Sequence, residues 1–384
     1  MLALLLSWLC LVSPPATQGA DLAAIRTAVA QLGSFDFPTR TNAARLIRRA
    51  PIGVTTAALQ DAVRNSTDEY VQYRALVLLT SIAPNAAQTA AAEVLTHRND
   101  RLRTVAYQWF ERHPQPAVTP RLMDALSTER SEFVRPALMR ALAAAAVVEA
   151  PPALQQELQT LVSRGEDLFR GATIEALGDY GVKFAVNAIA QVAELDGPLQ
   201  DDAITAIGRL GDASTRPLLA KLQGSVPREL QPTVSAALCL QGVDCDARLA
   251  YLVETLAFAT VNAGYQPLLR GAVHGLSVLA IAGREPALVA LFDAGARAPE
   301  SARAPIALGV GTVALRKPQV VMHVLLQRAD VAPALTLLRD AFDMLSEDFE
   351  KENFALEIRK IGADPSTDAG VRRLTERILT ELEY

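Results

Sequence analysis

One short helical unit recurs along this chain, and no other feature narrows its fold as much. The clearest copy is Glu-Asp-Leu-Phe-Arg-Gly-Ala-Thr-Ile-Glu-Ala-Leu-Gly-Asp-Tyr-Gly at 166–181. Glu166 and Asp167 fall in the first turn, where free amides and the positive dipole end favour acids. Phe169, Ala172, Thr173, Ile174 and Leu177 recur at three- and four-residue steps and make one apolar stripe. Gly178 and Gly181 stand where that stripe ends. A helix this short is not stable alone, so its stripe must be covered by neighbours.

Copies of the same unit supply those neighbours. Aligned on Arg170, the row reads Arg40, Arg74, Arg103, Arg135, Arg170, Gln200, Gln231, Arg270 and Arg303, at intervals of 29 to 39 residues. Periods of this length belong to solenoids, propellers or arrays. Each period holds two helical segments and no strand pattern; 54–64, 152–164, 182–195 and 286–297 are first helices, and the row lies on the second. The expected fold is therefore all-α, an α-solenoid of about ten helix pairs. Gln takes the Arg position twice, and an amide can replace a guanidinium in hydrogen bonding but not in a ladder of charge. The row therefore reads as structural, each side chain forking onto a helix-end carbonyl or a carboxylate of the adjacent repeat.

The acid, apolar-Arg-x-x-Ala-x-x-(Ala/Leu)-Leu-Gly string of 166–178, with weaker copies at 131–142 and 196–208, resembles the HEAT-like repeat family in its short form, which also occurs in phycobilin lyases. The resemblance covers nearly the whole chain after its first twenty residues and looks like that of an extracytoplasmic HEAT repeat protein. It implies a superhelix whose second helices line the concave face. It also implies a rival activity, a lyase or isomerase acting on a bound chromophore or other small ligand. Iron-dependent hydroxylases built on such repeats use His-Glu dipeptides. Here His97, His113, His274 and His323 precede Arg98, Pro114, Gly275 and Val324.

Residues 1–20 differ from all that follow. The apolar run 2–12, then Ser13-Pro14-Pro15 and small residues to Gly19-Ala20, has the layout of a secretory signal peptide. That predicts a periplasmic or secreted protein with no stable membrane insertion once the signal is removed. Residues 21–384 read as one uninterrupted solenoid, with 317–384 as irregular capping repeats. The helix pairs 317–329 with 331–345 and 348–361 with 367–383 close it, and their charges suit an outer face without a neighbour. The chain carries 37 basic and 42 acidic residues, a net charge of −5. Residues 21–150 hold 15 arginines against 12 acids, so the surplus of acid lies in the remainder. No strong basic stripe marks a nucleic-acid binder.

Five residues beyond the structural row, Arg45, Gln108, Arg140, Glu175 and Thr205 fall between core positions and should face outward. Arg49, Arg112 and Arg209 follow one turn later. On the concave face implied by the resemblance, Arg45, Arg49, Gln108, Arg112 and Arg140 would form a basic binding patch for a protein partner. Cys239 and Cys245 flank a turn, and in an oxidising compartment they pair as a disulfide. Tyr107, Trp109 and Phe110 form the dense aromatic cluster, at a spacing that suits core packing. The sequence has no nucleophile elbow, phosphate loop, zinc signature or dinucleotide fingerprint. It therefore points to a binding scaffold, with no cofactor, no metal and no catalytic residue expected.

Overall fold

The computed structural model describes residues 16–345 and 348–383. They form twenty-two α-helices and five short 3-10 turns, with no strand among the described residues. Contacts gather the chain into two units that meet in sequence at Pro151 and Pro152, Met1–Pro151 and Pro152–Tyr384. The sequence shows no break in composition there. The apolar run 2–12 lies outside the described residues. The first helix begins at Ala16 and so passes through the expected cleavage point.

Unit 1 holds α1 (Ala16–Gln31), α2 (Phe37–Arg49), α3 (Ile52–Asn65), α4 (Glu69–Ile82), α5 (Pro84–Glu93), α6 (Asp100–Arg112), α7 (Thr119–Thr128) and α8 (Arg135–Val148). Local chemistry sets where these helices start. The carboxylates of Asp36 and Asp68 and the amide oxygen of Asn99 accept from first-turn amides of α2, α4 and α6, satisfying donors the helix itself leaves free. Proline stands in the first turn of α5, α7 and α8, where its missing N–H costs nothing.

Unit 2 continues the alternation. It holds α9 (Pro152–Ser163), α10 (Asp167–Asp179), α11 (Val186–Glu194), α12 (Gln200–Leu210), α13 (Arg216–Ser225), α14 (Gln231–Leu240) and α15 (Cys245–Val261). Then come α16 (Gln266–Ile281), α17 (Glu285–Arg297), α18 (Glu300–Arg316), α19 (Pro318–Leu326), α20 (Ala332–Asp343), α21 (Asp348–Ala363) and α22 (Ala369–Glu381). The fold is thus the expected α-solenoid type, in eleven helix pairs. The terminal pairs lie within a few residues of where the sequence puts them.

Within each unit, odd-numbered helices form one layer and even-numbered helices the other, with the core between. Leu, Ala and Val fill it, as in Leu122, Leu138 and Leu142 of unit 1 and Leu252, Leu276 and Leu288 of unit 2. In unit 2 the even helices from α10 to α18 pack directly on one another, more closely than the odd helices do. A layer with closer neighbours lies on the inside of a curve. The even helices are therefore the inner side of unit 2.

Candidate functional site: the rows carried by the even helices

Apart from Arg74 and Arg270, the structural row sits within the first turn of its even helix, where its side chains can reach the carbonyl end of the preceding odd helix. Arg135 Nη1 donates to the carbonyls of Leu126 (3.1 Å) and Glu129 (2.8 Å). Arg170 Nε donates to Val162 O at 3.1 Å, and Arg40 Nη1 to Ser34 O and Phe35 O. Gln200 and Gln231 make the same reach with an amide, to Ala193 O (3.1 Å) and Val226 O (3.0 Å). Helix-end carbonyls have no intrahelical donor, and either side chain can supply one.

Two further members add a carboxylate. Arg103 forks onto buried Glu129 at 2.7 and 3.1 Å while its Nη1 holds His97 O. Glu129 also accepts from Ser131 N, so one acid ties α6 to the turn before α8. Arg303 pairs with Asp340 at 2.6 Å. Arg74 is buried within α4.

Arg270 departs from the row. It is exposed, one turn inside α16. The helix-start position there belongs to Gln266, and the Gln231-Pro232 pair that opens α14 recurs as Gln266-Pro267. A nearby carbonyl, Phe258 O, is taken by the Asn262 side chain at 2.7 Å. Helix starts, followed in place of arginines, would have found this register.

The outward row of unit 1 is less uniform than its sequence suggests. Arg45 and Arg49 are exposed on α2, with Leu46 exposed between them, and Arg45 donates to Asn42 at 3.0 Å. On α4 the first of these positions is buried Leu79 and the second, half-buried Ala83, falls just past the helix end, so the row is interrupted there. Gln108 is half-buried and Arg112 exposed. Arg140 is paired with Glu111 of α6 at 2.7 Å, so that charge is already engaged. The aromatic cluster lies in the core: Tyr107, Trp109 and Phe110 are buried, Tyr107 donates to Leu95 O, and Trp109 stacks on His113. Burial pushes the Tyr107 hydroxyl up to about 12.

In unit 2 the same row leads into a group of charges that the sequence does not announce. Glu175 and Asp179 of α10, Asp201, Asp202 and Arg209 of α12, His274 of α16 and Arg316 of α18 come together. Arg209 meets Asp179 at 2.5 Å, and Arg316 meets Glu175 at 2.6 Å and Asp179 as well. Thr205 Oγ1 and His274 Nε2 share a 2.9 Å hydrogen bond. Burial, then the Asp201 and Glu175 carboxylates, push Asp202 up to about 6 against the pull of Arg209. Burial likewise holds His274 below the ordinary imidazole range.

Cys239 and Cys245 form a disulfide across the turn from α14 to α15, their Cα atoms 4.1 Å apart. Among the described residues no group of His, Cys, Asp and Glu has the arrangement of a metal site. The depression beside Tyr251, about 420 Å³, is lined largely by polar residues including Gln223, Gln231, Asp244 and Arg248. Among the same residues no helix is long and apolar enough to cross a membrane.

The arrangement is that of an all-α protein built of repeated helix pairs. No family model matches the chain, and no curated protein matches it. Solved structures resemble it at low identity. One, in which Kap95p binding induces the switch loops of RanGDP to adopt the GTP-bound conformation, has 13% identity and a TM-score of 0.36, over 94% of this chain and 60% of that one. The C-terminal fragment of the Chaetomium thermophilum cohesin loader SCC2 has 13% identity and a TM-score of 0.33, over 97% and 37%. Kap121p has 11% and 0.31, over 96% and 54%. This chain spans less than two thirds of each, and likeness at that level says nothing of a partner.

Proposed function

We propose that the chain is an exported, non-enzymatic scaffold that holds a protein partner on the even-helix face of its repeats. The observation that carries this reading is the exposed basic row of unit 1. Arg45, Arg49 and Arg112 occupy outward register positions, with Leu46 offering apolar surface beside the first two. Long flexible cations that no core needs suit a face that meets an acidic surface, steering its approach and weakening with salt. Gln108 and Arg140 border that face. Arg140 would contribute after leaving Glu111. Export is supported by the layout of residues 1–20 and by the Cys239–Cys245 bond, a linkage that persists in oxidising compartments.

A photo-crosslinking residue at Leu46, used in intact cells, tests the binding face. The expected result is a defined protein adduct, lost in the R45E/R49E/R112E variant with helicity and thermal unfolding unchanged. An adduct that forms equally in that variant rejects the basic face, and turnover of a substrate rejects the scaffold. Export is checked by the mature N-terminus, which should follow Gly19 or Ala20.

A further inference from the structure

In a solenoid each repeat touches its neighbours, so side-chain bonds span about one period. Arg140–Glu111 spans 29 residues, Arg303–Asp340 spans 37, and Arg339–Glu381 spans 42. Arg316 breaks that rule. It lies 137 residues from Asp179 and 141 from Glu175, and it bonds to both. Between α10 and α18 stand three even helices, so this contact crosses the inner side of unit 2 instead of following it. The Thr205–His274 bond, spanning 69 residues, passes over α14 in the same way. The matching position of α14 carries small Ala236.

The placement of Asp179 is informative. It is the last residue of α10, at the negative end of that helix's dipole, where an acid is disfavoured. Its side chain is 9% exposed. A buried acid at such a place requires cations, and two arrive from other helices: Arg209 from the last turn of α12 and Arg316 from the end of α18. Both arginines sit at helix C-termini, where a cation is favoured. Three helix ends are thus held by one carboxylate.

We infer that Asp179, with Glu175, Arg209 and Arg316, is an ionic clasp that holds the inner groove of unit 2 closed, and that the groove opens when the clasp is released. Apart from the Thr205–His274 bond, the rest of the even-helix layer is joined neighbour to neighbour, so small rotations at each interface add up over four interfaces into a large displacement of α18 from α10. The clasp opposes that sum at one point. While it holds, the inner surface from α10 to α18 is turned in on itself and is closed to a partner. The inference does not rest on the scaffold reading, and its test needs no partner.

The full chain with C10S, L168C and L308C carries spin labels at exposed positions of α10 and α18, and the distance between them is read by pulsed electron resonance. The clasped protein should give one narrow distribution. R316Q should lengthen the mean and roughly double the width, as expected when a second conformation becomes populated. The parent protein at about 1 M salt should move the same way, since screening weakens partly exposed ion pairs. E175Q, which removes the exposed arm and leaves Asp179 in place, should give a smaller shift in the same direction. An unchanged narrow distribution in R316Q overturns the clasp. If R316Q does not fold, an unchanged distribution in both E175Q and high salt does so.

Discussion

The two units carry the same row of helix starts, yet α6 of unit 1 and α10 and α12 of unit 2 differ at the position eight residues further on. In α6 of unit 1 that position is Glu111, whose side chain reaches Arg140 of α8. In α10 and α12 of unit 2 it is Gly178 and Gly208, and there is no room for a side chain. A Cβ on Gly178 would stand 2.7 Å from the Ala206 backbone, and one on Gly208 would stand 2.6 Å from that of Ala237. The even helices of unit 1 contain no glycine at all. Helix separation is set by the side chains at the contact. Their absence at Gly178 and Gly208 lets α10 and α12, and α12 and α14, approach closely. In unit 2 the close approach of α10 to α12 and of α12 to α14 thus rests on glycines, while in unit 1 α6 and α8 approach as closely without glycine and carry an ion pair at the contact.

The harshest test of that contrast is a side chain at the glycine position. G208V should destabilise unit 2 by about 3 kcal/mol or more, because the clash is with backbone and cannot be relieved by a rotamer change. E111A, at the equivalent place in unit 1, should cost only about 1 kcal/mol, since it removes a pair and creates no clash. Chemical denaturation of each variant separates the two outcomes. Equal losses would mean that glycine has no special role in the inner layer.

Next in size are the helix-start donors, where the units should behave alike. R135L strips a donor from the carbonyls of Leu126 and Glu129, and about 2 kcal/mol should be lost. Q200L strips one from Ala193 O and should cost about 1 kcal/mol. Thermal unfolding measures both. Loss only for the arginine would mean that its charge, and not the carbonyl bond, is what matters.

That common behaviour explains why so much of the fold was legible. The row repeats one local problem, an unpaired helix end, and Arg or Gln solves it within a single repeat, so sequence alone exposes it. Arg270 misled because the pattern was followed by residue type. Gln266, with proline after it, holds the helix-start position. The clasp was not legible for a different reason. Glu175 and Thr205 could be placed on the outward row, but Arg316 and His274 come from distant repeats. Their approach depends on rotations accumulated over several interfaces, and no single period encodes that sum. In unit 1 the outward row could be read, but Glu111 beside Arg140 and buried Leu79 reduce the patch it implied.

The acidic side of unit 2 has a pH signature that the basic row of unit 1 lacks. Asp202 is pushed up to about 6 from an ordinary 3.8, first by burial and then by Asp201 and Glu175. The folded state therefore holds a proton that the unfolded state has released between those values, and this group's contribution to stability falls as pH rises from about 4 through 6. His274, held low by burial, acts the other way and favours the folded state less as pH falls below the ordinary imidazole value. D202N removes only the first effect. It should be about 1 kcal/mol more stable than the parent at pH 7, with the advantage shrinking through pH 6 and gone near pH 4. Melting curves across that range check it. A pH-independent difference would sever the carboxyl from the effect.

The smallest effects are the pairwise couplings, and they bear most directly on how the units differ. Glu111 and Arg140 form a local pair whose side chains are 14% and 28% exposed, joining neighbouring helices that the core already holds together. A double-mutant cycle with E111Q and R140Q should return a coupling of under about 1 kcal/mol, typical of a partly solvated pair. Glu175 and Arg316 are 49% and 27% exposed, so burial alone would predict no more. Their pair, however, closes a contact across several interfaces. If the clasp holds an open–closed equilibrium, E175Q and R316Q each release part of the same strain and should not be additive. The coupling would then match or exceed that of the better-buried pair in unit 1. Equilibrium unfolding of both cycles in the same buffer makes the comparison. A coupling that simply follows exposure, smaller in unit 2 than in unit 1, would show that Arg316 rests on those acids without holding anything shut.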